Sequence, residues 1–595
     1  MSNRFASIRL RCAIVACAIL HAAGTYAATP ADLILHNGKV WTMENAQPLA
    51  QAVGLRGDKI VKVGSEAEVL ALRGAQTRVI DLHGRLLLPG FNDAHTHFEN
   101  AVDWYFQVRL IDVNSADTML RRLAEVAARL PAGIWITGGD WSDLAATKAE
   151  KAGRSFTPFE PDLAAVDALT PNQPLLLRRY DRAYFANSKA LRLARINAKT
   201  PDPRGGRYGR DANTGALTGM LYGSAGELLE KLIPPMSQAQ KLVGARGVEA
   251  DLNRVGITSI ADIAHVDEIS QKQIFPIFTE RSYSDRRIFE DLKTSGQLSV
   301  RVYAFVPLET WRDLAAYGIH PGSGDAFVRY GALKAFGDSG LMFEPLKDKM
   351  GLPGDWSYRF MGEDKIAAKI IDADRAGYDV GVHIIGDKAV HLLIGWYAAA
   401  AAANGTPRVP RDRRDRLIHV WYSTPEDLKR AGKLHLIADV TPDHLMRNID
   451  RLEQILGPER AKSAFAWHTM IEDGLRLNLV SDLPGSFNKA SLAHYDPLLN
   501  MYMAVTRKDV HSAAGGSATA FHLEQALTIE QAIAAYTINP AYSSHEENIK
   551  GSIAAGKLAD LIVLSDDILS EPLDKLLDTK VDYTIFDGKV VYTKP

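Results

Sequence analysis

Both ends of this 595-residue chain read as short β-strands, while its long middle reads as alternating strand and helix, and that arrangement narrows the possible folds more than any other feature. Near the start, "DLILHNGKVWTM" and "AVGLRGDKIVKVG" alternate apolar and polar residues around "NGK" and "GDK", the pattern of short antiparallel strands in a half-exposed sheet. At the far end "DLIVLSDD" and "YTIFDGKVVYTKP" repeat the style around a "DGK" turn. Neither end holds enough strands to close a sandwich alone. The two are expected to pair into one small composite β-sandwich, with residues 28–88 and 543–595 as its parts.

Between them, from about Pro89 to Tyr542, apolar helices ("TMLRRLAEVAARL", "KIAAKIIDADRAG") alternate with short buried-strand runs ("IWITGG", "PLLLRR", "VGVHIIG", "RLIHV", "RLNLVSD"). Alternating β and α units predict a parallel sheet, and residues 89–542 suit a distorted (β/α)₈ TIM barrel with an inserted segment. The insertion is expected early, within about residues 100–330, where more chain separates Phe98 from Leu333 than a few βα units need. The turn-rich "TPDPRGGRYGRDANTGALTG" lies there too. "RDRRDR", Arg411 to Arg416, reads as a solvated loop, and "AAAAAAN" near Ala398 as a helix end.

Composition restricts function mainly by exclusion. A chain that is 46% hydrophobic and 24% charged is ordinary for a globular protein, and a formal charge of −2 offers no basic surface for nucleic acid. The N-terminus stands apart: Arg4, Arg9 and Arg11 precede the apolar "CAIVACAILHAAG", and "TYA" ending at Ala27 has the small residues a signal peptidase requires. Residues 1–27 therefore read as a signal peptide, and the protein as secreted or periplasmic. The apolar run is well short of the roughly 20 residues of a stable span, so no membrane span is expected after its removal. "IVAC" ending at Cys17 loosely resembles a lipoprotein box but leaves almost no apolar region before it. Both cysteines, Cys12 and Cys17, lie in this segment, so the remainder must draw its stability from its core and any bound metal.

The chemistry starts at "LLLPGFNDAHTHFEN". On a strand, positions i and i+2 face the same way, so His95 and His97 project into one cavity and are compact enough to chelate one ion; as a bare pair they equally suit core histidines. Other polar residues end apolar strand runs, where barrel enzymes build their sites: Lys334 in "YGALKAFGDSG", His383 in "VGVHIIGD", His419 in "RLIHV" and Asp482 in "LRLNLVSD". Each has a bland role as well: an ion-paired lysine, satisfied core histidines, a helix cap. Together, His-x-His, Lys, His, His and Asp supply imidazoles and a carboxylate for one or two divalent ions such as zinc.

These motifs carry a resemblance. Over nearly the whole chain from about Leu33, "LLLPGFNDAHTHF", "NSKAL", "TGALTGMLYG", "GALKAFGDSG", "VHIIGDKAV", "STPEDLKR", "LVSDLP", "DPLLNMYMAVTR", "YTINPA" and "GSIAAGKLADLIVLSDD" occur in the order found in the metal-dependent amidohydrolase superfamily. The branch it resembles includes N-substituted formamide deformylases and hydrolases labelled exoenzyme regulatory proteins. The resemblance implies a distorted barrel beside a composite sandwich, with His95 and His97 on the more buried metal and His383 and His419 on the other. Asp482 falls on the last metal-bearing strand, as ligand and as general base and acid. Lys334 matches the position where many members carry a lysine carbamate bridging two metals; a carbamate is an anion that can ligate, whereas an ammonium cannot.

Three positions depart from the pattern: "DSG" at Asp338 to Gly340 replaces "DGS", Ile418 replaces a glutamate before the fourth histidine, and "DRA" at Asp181 to Ala183 replaces "DGH". The last two remove polar groups near the expected site, so a relative's substrate does not carry over. The expected function is hydrolysis of a C–N bond other than a peptide bond, in an amide, formamide or cyclic amide of a small molecule, by a metal-activated water. Trp104, Tyr105, Phe106, Trp135, Trp141 and Tyr184, in the inserted region, are candidates to line an apolar pocket or simply the core. Two other functions fit the chain: a metal-dependent deaminase on the same scaffold, and a non-catalytic secreted regulatory or binding protein. A homo-oligomer is compatible with all three.

Overall fold

The central alternation of strand and helix closes on itself in the computed structural model, which describes residues 29–143, 145–146, 149, 153–263, 286–338, 363–405, 412–484, 495–510 and 520–595. The leader expected at 1–27, with both cysteines, lies outside the described residues. Eight strands run parallel in chain order: β1 (Phe91–Thr96), β2 (Ile257–Ile263), β3 (Arg301–Pro307), β4 (Val328–Phe336), β5 (Asp379–Ile384), β6 (Arg416–His419), β7 (Ile437–Val440) and β8 (Arg476–Leu479). Consecutive pairing is parallel throughout. A parallel bridge from Thr96 to Leu483 brings the last strand round to the first. Two backbone bonds finish the seam, Asp482 N–H to His95 O at 3.0 Å and His97 N–H to Leu483 O at 2.6 Å. The result is a nearly closed, distorted TIM barrel.

Burial on two faces explains why these strands read as unbroken apolar runs: every residue of β2, "ITSIADI", is buried. Alternate positions divide between two cores. Ala261, Ile263, Tyr303, Phe305 and Ala332 pack together inside the barrel, whereas Ile260, Val302, Leu333, Val382 and Leu417 belong to the larger core shared with the helices. Those helices start as their sequences direct. Gln238–Arg254 opens with a capping box, Ser237 with Gln240, and Pro425–Lys433 opens on a proline behind the Thr424 cap. Among the described residues, no helix is long and apolar enough to cross a membrane.

The two chain ends meet as expected. Leu33–His36, Ala52–Arg56, Lys59–Gly64 and Arg78–Asp81 form one sheet. Lys39–Trp41, Leu49–Ala50, Leu86–Pro89, Leu561–Leu564, Val581–Phe586 and Lys589–Thr593 form the other. Leu33, Leu35, Val53 and Leu55 pack between the sheets against Val40, Leu87, Leu561, Val563 and Ile585. The "GDK" and "DGK" turns are antiparallel hairpins. "NGK" is not: Leu33–His36 and Lys39–Trp41 lie in different sheets, so the chain crosses the sandwich there. Asn37 takes φ +54, and a Cβ on Gly38 would meet Leu82 Cδ1 at 2.5 Å. Alternation within each strand is identical for a hairpin and a crossing, which is why the pattern reads as a hairpin.

Two further readings change. "IWITGG" and "PLLLRR" contribute Thr137–Trp141 and Leu176–Arg179 to a separate sheet inserted between β1 and β2, together with Gln107–Arg109, Tyr184–Ala186, Gly206–Arg210 and Leu217–Gly223. Nor is "RDRRDR" a solvated loop. Arg414 is 5% exposed and paired with Asp412 and Glu547; Arg416 is 1% exposed and lies 3.5 Å from Asp439. Carboxylates on other elements, Glu547 and Asp439, match these arginines, so Arg414 to Arg416 are drawn in at the N-terminal end of the barrel, while Arg411 lies outside the described residues.

Candidate active site

Strand parity places the first candidates. His95, at the end of β1, is fully buried, and His97 lies two residues on at the start of helix Phe98–Tyr105, with its side chain 11% exposed. Both Nε2 atoms stand 3.3 Å from Asp482 Oδ1. Asp93, two residues before His95, clasps the seam: its carboxylate accepts from the backbone N–H groups of Ser481 at 3.2 and 3.3 Å and of His95 at 3.2 Å. Burial pushes the Asp93 carboxyl up to about 7.

His419 arrives differently. Arg416 and Ile418 share one strand face and His419 would take the other, but φ +74 at His419 and +38 at Val420 break the pleat. The ring ends 5.1 Å from His95 and 4.7 Å from His383, centroid to centroid. Asp482 also holds a left-handed backbone, φ +58. Non-glycine residues in that region cost about 1–3 kcal/mol each and persist where the surroundings overdetermine them. Ile418, where a glutamate was expected, is fully buried.

Lys334 lies on the inward row of β4, two residues before the strand's end, and is 5% exposed. Its Nζ has no hydrogen-bond partner among the described residues, and neither ring nitrogen of His95 has one. Burial brings the lysine down to about 7 against the pull of Asp482 and Asp439. Asp338, the first residue of "DSG", accepts from the backbone N–H groups of Ile385 and Gly386 at 2.9–3.1 Å, fixing the turn after His383. Ser339 and Gly340 lie outside the described residues. "DRA" makes the hairpin turn of the inserted sheet, where Asp181 is held by Arg179 at 2.8 and 2.9 Å.

All six candidates therefore converge on the C-terminal mouth of the barrel. A seventh residue joins them that the sequence reading passed over: His444, in the first turn of helix Pro442–Leu456 after β7, with Nε2 3.5 Å from Asp482 Oδ2. The run "LHLIADV" before it marks a strand, and a polar residue just past a barrel strand is the signal that would have found it. The aromatic candidates divide. Trp104 and Tyr105 line a cavity of about 490 Å³ that reaches Leu483 and Pro484 beside Asp482. Phe106, Trp141 and Tyr184 are core, and Trp135 packs on the core of the inserted sheet.

The electrostatics favour a cation. Burial, with Lys334 adding to it, holds His95 down at about 3, and burial lowers His383 and His419 as well, so these imidazoles are neutral and keep a lone pair at pH 7. Burial alone would raise the Asp482 carboxyl, but the facing imidazoles of His444, His95 and His97 together hold it well below the usual carboxylate range. The His97 ring is oriented by Nδ1, 2.9 Å from Ile263 O. A carbonyl only accepts, so Nδ1 carries a proton, and in the neutral ring Nε2, the nitrogen facing Asp482, is the one left with the lone pair. A carboxylate facing neutral imidazoles, beside a buried His95 with no hydrogen-bond partner among the described residues, fits a bound metal. His95, His97 and Asp482 can each offer one atom, all within 4.8 Å of one another, and so can His419, His444 and Asp482.

Known proteins share the sequence and the fold. The amidohydrolase family model matches residues 78–592. Protein LONG AFTER FAR-RED 3 of Arabidopsis thaliana is 30% identical over 94% of this chain and 92% of its own length. An N-substituted formamide deformylase of Arthrobacter pascens is 26% identical over 95% of this chain and 98% of its own. Among solved structures, an uncharacterized metal-dependent hydrolase from Pyrococcus horikoshii OT3 superposes with a TM-score of 0.61 at 20% identity, covering 91% of this chain and 99% of that one, and so shares the fold. A barrel mouth furnished in this way, inside a sequence match that runs through barrel and sandwich alike, makes this chain a hydrolase belonging to the amidohydrolase family.

Proposed function

We propose that the protein hydrolyses a C–N bond in a small amide, formamide or cyclic amide, using zinc held by His95, His97, His383, His419 and Asp482, with Lys334 as a carbamate when two ions are present. One observation carries the reading: a single anionic carboxylate, Asp482, has Nε2 atoms of His95, His97 and His444 within 3.5 Å, in a site where His95 and Lys334 Nζ make no hydrogen bond among the described residues. Neutral imidazoles with a carboxylate are a zinc donor set. When bound, a divalent cation supplies Lewis acidity, polarising a carbonyl and bringing the pKa of water to about 7.

The chain's own residues supply the proton traffic. Asp482, anionic at neutral pH, takes a proton from the attacking water as the C–O bond forms, then delivers it to the leaving nitrogen as the C–N bond breaks. The products are a carboxylic acid and an amine. The cavity that reaches Leu483, next to Asp482 in the chain, presents Trp104, Tyr105 and Tyr495 together with Arg109 and Asp251, and is the candidate berth for the amine substituent. Similarity to a formamide deformylase along almost its full length supports a formyl or acyl amine as the first class to try. The arginine-led apolar leader supports secretion or export to the periplasm as the setting.

The test is a screen of N-formyl and N-acyl amines, lactams and cyclic imides against zinc-loaded protein, read by amine release. A hit is expected to vanish on dialysis against a chelator and return with zinc. Metal analysis at about two ions per chain supports the carbamate bridge; about one supports a mononuclear site. Activity that survives chelation, or cleavage confined to esters, overturns the proposal.

A further inference from the structure

His444 sits among candidate ligands, and its Nε2 lies close enough to Asp482 and His419 to share a cation with them. Its other nitrogen argues for a different role. Trp421 Nε1 is 3.3 Å from His444 Nδ1. An indole N–H only donates, so Nδ1 must be the acceptor and must hold a lone pair. In a neutral imidazole the proton is then on Nε2, the atom facing Asp482 Oδ2 at 3.5 Å. A protonated ring nitrogen has no lone pair for a metal. It is a hydrogen-bond donor, and a shift of roughly 0.5 Å brings it to the usual length of such a bond.

His97 is the mirror case. Its Nδ1 faces the Ile263 carbonyl, an acceptor, at 2.9 Å, so in the neutral ring its Nε2 is free of the proton. The two histidines face opposite oxygens of one carboxylate, His97 at Oδ1 and His444 at Oδ2. Each is set by the partner on its far nitrogen.

The indole that sets His444 is itself fixed. Trp421 stacks on Phe465 with centroids 5.6 Å apart and planes 30° apart, and its carbonyl accepts from Phe465 N–H at 2.7 Å. Its ring meets that of His444 edge-on at 5.3 Å. His444 is 5% exposed, so water does not compete freely for its proton.

From this geometry we infer that His444 is a positioning residue and not a metal ligand: held in the Nε2–H form by Trp421, it donates to Asp482 Oδ2 and so keeps Oδ1 turned toward His95 and His97. The inference rests on the proposed hydrolase reading for its kinetic arm, and its zinc arm is independent of any substrate. Zinc content and affinity are measured by competition with a chromogenic chelator for wild type, His97→Ala, His444→Ala and His444→Gln. His97→Ala is expected to lose zinc affinity by 100-fold or more, and both His444 variants to stay within about threefold of wild type. His444→Gln keeps an amide N–H that can reach the same carboxylate oxygen. On the substrate found by the screen, His444→Ala should lower kcat about 10- to 100-fold with KM little changed, and His444→Gln should recover most of that loss. Trp421→Phe, which frees the tautomer, should lower kcat by less than His444→Ala.

Zinc loss in both His444 variants makes the residue a ligand and overturns the inference while leaving the hydrolase reading intact. Equal kcat losses for Ala and Gln, with zinc retained, overturn the donor role. Should zinc bind as described and no C–N substrate be cleaved, the hydrolase reading fails and the assignment of His444 as a non-ligand stands.

Discussion

At the N-terminal end of the barrel, Arg301 is 1% exposed and is met by Asp560 at 2.6 and 2.9 Å and by Asp587 at 3.2 Å. At the opposite end Lys334 is 5% exposed and its Nζ makes no hydrogen bond among the described residues. The contrast extends to their neighbours. At the floor, Arg414 pairs with Asp412 and Glu547, His545 with Asp379, and Lys550 with Glu546; at the mouth, His95 has no hydrogen bond on either nitrogen among the described residues. Burying a charge is costly unless it is paired, so the floor spends its carboxylates on cancelling its cations, while the mouth leaves desolvated groups for something from solution to satisfy. The same scaffold thus keeps stability at one end and reactivity at the other.

Substitutions at the two ends should therefore differ in kind and in sign. The largest effect is expected from Asp482→Asn, which keeps the shape of the side chain but cannot take a proton: turnover should fall about 1,000-fold or more with zinc largely retained and thermal stability undiminished. Unchanged turnover would remove Asp482 from the chemistry. Next, Arg301→Ala strands two carboxylates at the floor and should cost about 3–5 kcal/mol in denaturant unfolding, with kcat at low temperature unaltered. A cost below about 1 kcal/mol would mean that the floor pairs are not what holds barrel and sandwich together.

Lys334→Met should have the opposite sign. A lysine brought from its ordinary 10.5 to about 7 means that the folded chain holds fewer protons than the unfolded one across that interval, so wild-type stability rises as pH goes from 7 toward 10. In metal-stripped protein and carbon-dioxide-free buffer, the substitution should stabilise by about 4 kcal/mol at pH 7, and the gain should shrink as pH rises. A gain independent of pH would show that packing, and not the ammonium, is responsible. The smallest effect calibrates the others: Ser237→Ala, at an exposed cap, opens the capping box of helix Gln238–Arg254 and should cost about 1 kcal/mol with no change in kcat. Unfolding curves for the variant beside Arg301→Ala provide the check.

How much of this was legible in the residues depends on whether local pattern or tertiary geometry decides each position. The barrel and the paired termini were legible because two-faced burial and period-two alternation are local properties of a strand. His95, Lys334 and His383 were legible for the same reason, as polar groups ending apolar runs on the inward row. His419 was reached from the same cue, yet its aim depends on a left-handed break at residues 419 and 420 that no periodicity announces. His444 escaped because it belongs to the helix after β7 and not to the strand itself, four residues beyond Val440 where the run "LHLIADV" ends. Arg416 misled for the opposite reason. Its carboxylate partner lies on the next strand, so a buried pair looked like surface charge. "IWITGG" and "PLLLRR" are true strands whose sheet membership was settled by contacts outside themselves.

The composite sandwich has a consequence in time. Leu86–Pro89, which leads directly into β1, is sandwiched in its sheet between Lys39–Trp41 and Leu561–Leu564, and Lys39 is bonded to Asp567 across 528 residues of chain. A ribosome making this protein releases the first half of that clasp long before the second half exists. Until synthesis ends, the strand that delivers His95 and His97 has one open edge, and contacts of such long range close slowly. The chain cannot finish its reactive centre early. Loss of even the last two hairpin strands, Val581–Phe586 and Lys589–Thr593, would uncover the edge of the sheet on which the strand carrying His95 is hung.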